Sequence, residues 1–130
     1  MINLSRIKRI VDIEYARIVV SSEIFHNKLR IFMTDGSFAD TWFSTRIPGR
    51  FSYHCEKRHI DGKIYRYDNF PDPRWKKLST FPKHFHDGSQ ERVKESQISD
   101  DPMKAIRQFM EFIQERIFKA NQQTLDEEEI

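Results

Sequence analysis

Four turn signals constrain this chain more than any other feature of it. His26-Asn27, Asp35-Gly36, Pro48-Gly49 and Asp61-Gly62 interrupt a stretch rich in β-branched and aromatic residues, ARIVVSSEIFHNKLRIFMTDGSFADTWFSTRIPGRFSYHCEKRHIDGKIYRYDN. Asp-Gly supplies the positive φ values that a tight hairpin turn needs, at little steric cost. The breaks leave segments near 17–25, 28–34, 37–44, 51–59 and 63–68, each of strand length. Successive strands joined by turns this short are antiparallel, because a parallel neighbour needs a crossover of a dozen residues or more. The spacing therefore predicts an antiparallel meander.

Alternation along the strands divides the sheet into two faces. Leu29, Ile31 and Met33 share one side of their strand, as do Phe51, Tyr53 and Cys55 of theirs. The other side of 51–59 carries Ser52, His54, Glu56 and Arg58, and one side of 63–68 carries Arg66 and Asp68. Pairing across Asp61-Gly62 would bring these polar side chains into one row. Such a row is either a solvated sheet face, the commoner outcome for antiparallel sheets, or a functional one.

Helical periodicity marks the two ends. Leu4, Ile7, Ile10 and Val11 predict a short amphipathic helix over 4–13. Near the C-terminus Asp101 is placed to cap a helix and Pro102 to occupy its first position. Met103, Ile106, Met110, Ile113 and Ile117 then follow at three- and four-residue spacing, widened by Phe109 and Phe112. Between sheet and helix, Phe70 to Pro82 holds three prolines and reads as a loop anchored by Phe70, Trp75, Leu78 and Phe81. His84 to His86 and the QERVKES stretch supply further strand material around another turn pair, Asp87-Gly88. The expected architecture is one α+β domain over 1–120. It is an antiparallel meander of about five or six strands with an N-terminal and a C-terminal helix packed on it. An acidic tail over 121–130, with no apolar face to bury, is expected to be disordered.

Composition excludes several function classes. No run approaches the roughly 18 apolar residues of a membrane helix, and the N-terminal residues are charged throughout, so a cytoplasmic protein is the expectation. A single cysteine, Cys55, rules out an internal disulfide and a cysteine-pair zinc site, and its strand parity with Phe51 and Tyr53 makes it a small buried side chain. Four glycines, all near turns, leave none for a nucleotide-phosphate cradle. Setting aside Asp126, Glu127, Glu128 and Glu129 raises the net charge from +2 to +6, a modestly basic body.

The remaining chemistry suits RNA. RNA supplies its own nucleophile, the 2′-hydroxyl, so cleavage needs only a proton acceptor, a proton donor and a cation for the phosphorane. Histidine titrates near neutrality and arginine offers a planar pair of donors. His54, His84, His86, Arg66 and Asp68 are the catalytic candidates: histidines for proton transfer, Arg66 for phosphate, Asp68 to orient a ring. Tyr65, Tyr67, Arg74, Trp75, Lys76 and Lys77 mix stacking surfaces with cations and are the substrate-binding candidates. No cofactor or metal is assigned. A weaker reading joins His84 and His86, two apart on an extended chain, with His54, His59, Asp68 or Asp87 around a metal. A non-enzymatic reading makes Trp75 and Phe85 the anchors of a nucleic-acid or protein-partner surface.

Three segments, FSYHCEKRHIDGKIYRYDNFPDP, TFPKHFHDG and VKES, resemble the TumE-like proteins over roughly 28–118. The matching positions are Tyr53, His54, Arg66, Tyr67, Asp68, Asn69, Pro71, Phe81, Pro82, His84, His86, Asp87 and Gly88. The resemblance implies the toxin half of a two-gene toxin–antitoxin module, with a helix-turn-helix antitoxin as partner. Two departures stand out. DPRWKKLS occupies a stretch that is histidine-rich in relatives, and Lys83 stands where histidine is frequent. A mechanism that needed those histidines would not operate here.

Overall fold

A computed structural model describes residues 2–118. Helix α1, Leu4–Glu14, begins where the Asn3 side chain accepts a hydrogen bond from the Arg6 amide at 3.1 Å. Ile7 and Val11 form its buried stripe. Seven strands follow: β1 Val19–Phe25, β2 Lys28–Met33, β3 Phe38–Phe43, β4 Phe51–Lys57, β5 Lys63–Asp68, β6 His84–Gly88 and β7 Val93–Glu95. They form one sheet in chain order, every neighbouring pair antiparallel. The turn signals work as expected. Gly36 and Gly62 adopt φ of 86° and 80°, and His26 turns the first hairpin at φ 54°. Asn27 secures that hairpin by donating to the Phe43 carbonyl at 2.8 Å.

The strand count is seven rather than the five or six expected, because both segments after the loop pair fully. Asp87-Gly88 is not a turn. It continues β6, with Tyr65 opposite Asp87 and Ile64 opposite Gly88, and the chain reverses over 89–92. Asp87 stays in the strand because its buried carboxylate receives Lys94 at 2.7 Å and Arg116 at 3.0 Å.

Helix α2, Pro102–Phe112, starts at the expected cap: the Asp101 side chain accepts from the Met103 amide at 3.3 Å. It continues as π-helical turns over Ile113–Phe118. Ile106, Phe109, Met110 and Ile113 are fully buried, and the Phe109 ring lies 5.7 Å from Tyr53 and 6.2 Å from Tyr67. Both helices cover the sheet face of Leu29, Ile31, Ala39, Tyr53, Cys55 and Phe85. They are joined by Arg107 to Glu14 at 2.8 Å and by the Tyr15 hydroxyl donating to Glu111 at 2.9 Å. Among the described residues the opposite face carries no α-helix, and no helix is long and apolar enough to cross a membrane. The expected tail, 121–130, lies outside the described residues.

Candidate functional site

The face left free of α-helices is organised by register. Six side chains stand opposite one another across successive strands: Glu23, Arg30, Asp40, His54, Arg66 and His86. One step along, a second row runs Lys28, Trp42, Ser52, Asp68, His84 and Glu95. The period of two that buries Tyr53 and Cys55 points these residues the other way.

Asp68 is the hub. It is 4% exposed. His84 Nε2 lies 3.1 Å from one carboxylate oxygen, which also accepts from the Phe70 amide at 3.0 Å. The other oxygen accepts from Arg66 Nε at 3.0 Å and has His86 Nε2 at 3.5 Å. Both imidazoles are held from behind. His84 Nδ1 donates to the Pro82 carbonyl and His86 Nδ1 to the Gln90 carbonyl, each at 2.9 Å. A carbonyl only accepts, so each Nδ1 carries a proton. A hydrogen bond from His84 Nε2 to the carboxylate then requires the doubly protonated imidazolium.

Electrostatics agree with that assignment. Burial alone would raise Asp68, but the bonds from His84 and His86 outweigh it and hold the carboxyl well below the usual carboxylate range. Burial pushes His84 down, yet the Asp68 carboxylate and the Pro82 carbonyl more than compensate, and its affinity for a proton ends above the ordinary value. His54 moves the other way. Burial lowers it, Glu56 opposes, and the Arg66 charge lowers it further. Its Nε2 lies 3.2 Å from Glu56, and its Nδ1 faces Arg66 Nη1 at 3.4 Å. Arg66 thus stands between a histidine biased toward neutrality and one biased toward charge.

A cavity of about 290 Å³ opens on this cluster, lined by Arg66, Asp68, Phe70, Trp75, His84 and His86 among others. Trp75 comes from a 3₁₀ turn, Pro73–Trp75, whose Asp72 cap accepts from the Arg74 amide at 2.9 Å. Its ring lies 6.4 Å from His84 and 6.5 Å from His86. The indole Nε1 is buried with no hydrogen-bond partner among the described residues, an unused donor beside the cavity. Asp68, His84 and His86 also offer ligand atoms all within 4.8 Å of one another, a set that could hold a metal ion.

The five residues expected to do chemistry are therefore neighbours on one face. The substrate-binding set divides. Arg74 and Trp75 line the cavity. Lys76 and Lys77 are exposed just beyond it in the chain and are not in its wall. Tyr65 and Tyr67 lie on the helix-covered side, Tyr65 5.5 Å from Phe112 and Tyr67 stacked on Phe85 at 4.3 Å. That placement removes them from the cavity, and alternation with Arg66 and Asp68 already implied it. Glu56 and Gln90 join the neighbourhood with no role expected of them at the site, and Phe70, expected as a loop anchor, forms part of the cavity wall. Glu56 was visible two residues from His54, whereas nothing in the local pattern marked Gln90.

These features define a small α+β protein with a histidine, carboxylate and arginine cluster on the open face of a meander. The chain belongs to the Toxin TumE family, whose model matches residues 4–117. No curated protein and no solved structure matches it. It is accordingly a toxin of the toxin–antitoxin type, and an antitoxin is its general partner.

Proposed function

We propose that this toxin cleaves RNA by metal-independent acid–base chemistry on the open sheet face. One arrangement carries the reading: from β4 His54 faces the Arg66 guanidinium at 3.4 Å, and from β6 His84 reaches the Asp68 carboxylate at 3.1 Å that Arg66 also holds at 3.0 Å. Burial and Arg66 bias His54 toward neutrality, and Asp68, against burial, biases His84 toward charge. Titratable pairs driven apart in this way divide into base and acid. Neutral His54 takes the proton of the 2′-hydroxyl as that oxygen attacks phosphorus. Arg66, assisted by Arg74, stabilises the phosphorane charge. The bond from phosphorus to the 5′-oxygen breaks, and that oxygen takes the Nε2 proton of His84. The products are a 2′,3′-cyclic phosphate and a 5′-hydroxyl. Asp68 and His86 position the acid, and the spare Trp75 donor suits a phosphate oxygen. The antitoxin that silences this face is, by the family resemblance, a helix-turn-helix protein.

The test is induced expression of the wild type beside His54→Ala, His84→Ala and His86→Ala, scoring growth and mapping RNA ends. Loss of toxicity and of cyclic-phosphate ends in the His54 and His84 variants is expected. Equal toxicity of all four proteins would refute the mechanism, and toxicity without new RNA ends would point to the non-enzymatic reading.

A second reading has its own support. Metal-bound histidines usually donate their remaining ring N–H to a carbonyl or carboxylate, as both His84 and His86 do here. Asp68, His84 and His86 would then hold a divalent ion that polarises the phosphate. Cleavage by purified protein after dialysis against EDTA supports the first reading. Loss of cleavage, restored by zinc, supports the second.

A further inference from the structure

Beside the cluster, the open face carries stacked aromatic rings capped by guanidinium groups. Trp42 and Phe70 lie 5.9 Å apart with their planes 13° from parallel, and the Arg50 guanidinium sits 4.9 Å above Phe70. Among the described residues no carboxylate pairs with Arg50. Four residues before Trp42 on β3, Phe38 has the Arg30 guanidinium of β2 4.3 Å over its ring and His59 stacked at 6.1 Å. Trp42 shares its cross-strand row with Asp68 and His84, one residue, Ser52, intervening before Asp68. Phe70 is 43% exposed and belongs both to the Trp42 stack and to the cavity wall. The aromatic patch is thus continuous with the site.

We infer that this patch is a stacking platform for the bases of single-stranded RNA, with Trp42 and Phe70 seating the nucleotide next to the cleaved bond. The inference rests on the RNA reading and names its substrate class. Every base has a π face, and aromatic side chains on an open sheet with cations between them bind unpaired strands without needing a sequence code. A paired duplex hides those faces. Charge pattern favours RNA over a protein partner. The core of a protein interface is depleted of charge, but these rings are separated by the ionised row of Glu23, Arg30, Asp40 and Arg66. Asp40 in that row does not repel a phosphate chain, because it is neutralised by Arg30 at 2.8 Å and Lys28 at 3.6 Å, and Glu23 stands out on the edge strand β1. Arg50 is left to engage the backbone.

The test separates stacking from cleavage. A fluorescent 2′-O-methyl octauridylate has no nucleophile, so binding is read without chemistry, and an abasic octamer with the same backbone reads phosphate contacts alone. Wild-type protein is expected to bind the octauridylate more tightly than the abasic chain. Trp42→Ala and Phe70→Ala are each expected to weaken octauridylate binding by about 5- to 150-fold, the range for one stacked base, and to leave abasic binding unchanged. Trp42→Phe, which keeps a ring, should retain most of the affinity and guards against misfolding. Equal affinity of the wild type for both oligomers would overturn the platform even if the protein cuts RNA. Preferential binding of the octauridylate by a protein that leaves RNA intact would sink the cleavage reading and keep the platform. Loss of antitoxin binding in Trp42→Ala, with octauridylate binding unchanged, would overturn it in favour of a protein partner.

Discussion

Replacing Asp68 by asparagine should destabilise the fold by about 2–4 kcal/mol, and by more in acid than in base. Asp68 is 4% exposed and receives Arg66 Nε, the Phe70 amide and His84 Nε2 at 3.0–3.1 Å. Removing one partner of a buried ion pair costs about 3–5 kcal/mol. Asparagine returns about 1 kcal/mol, because one carbonyl oxygen still accepts. For a domain of this size each kcal/mol is about 4 °C of Tm, so the loss should be about 8–16 °C. The pH dependence comes from His84, whose folded-state affinity for a proton is raised, chiefly by Asp68 against the opposing effect of burial. A raised group contributes stability fully below its unfolded value near pH 6.5 and loses it as pH climbs through the folded value. Asp68 itself, depressed by His84 and His86 despite burial, contributes above an unfolded value of about 4 and loses that only as pH falls further. Between pH 5.5 and 8.5 the carboxylate is ionised whether folded or not, so this window reports His84. His54, shifted down, acts oppositely in both proteins and cancels in the comparison. Thermal melts by circular dichroism should show a wider gap between wild type and Asp68→Asn at pH 5.5 than at 8.5. Equal gaps, or a loss under 2 °C, would refute the charged Asp68–His84 pair.

Three further outcomes follow from the packing. Phe109→Ala empties a fully buried site between Tyr53 and Tyr67 and should cost about 3–5 kcal/mol in urea unfolding. Asp101→Ala removes the α2 cap and should cost about 1 kcal/mol by the same assay. Cys55 is fully buried, and burial pushes its thiol up to about 12, so a thiol reagent should label the native protein far more slowly than the urea-unfolded chain.

Local signals carried most of the fold. Turn residues and two-residue alternation placed β1 to β5, and the Asp101-Pro102 start with its apolar stripe placed α2. They faltered at β6 and β7, where Asp87-Gly88 has the look of a turn but Lys94 and Arg116, seven and twenty-nine residues away, hold Asp87 in a strand. The site was legible as a list of residue types and, through the Asp61-Gly62 hairpin, as a row containing His54 and Arg66. Convergence of His84 and His86 on Asp68 was not legible, because it depends on a loop of fifteen or so residues returning β6 to the side of β5. Tyr65 and Tyr67 show the reverse. Their aromatic and basic neighbours point to a substrate surface, the role expected of them, whereas alternation with Arg66 and Asp68 puts them on the core side. The packing of Phe112 and Phe85 follows parity.

Every strand of this sheet pairs with the one made just before it, whereas the apolar cover is shared between the first helix and the last. A ribosome can therefore release hairpin after hairpin in order, yet Tyr53 and Tyr67 stay wet until Phe109 emerges, and Asp68 waits for His84 and His86. Any product that stops short of α2 lacks the lid of its own interior. A cell that interrupts synthesis of this polypeptide part-way is left with an unarmed fragment rather than a weapon.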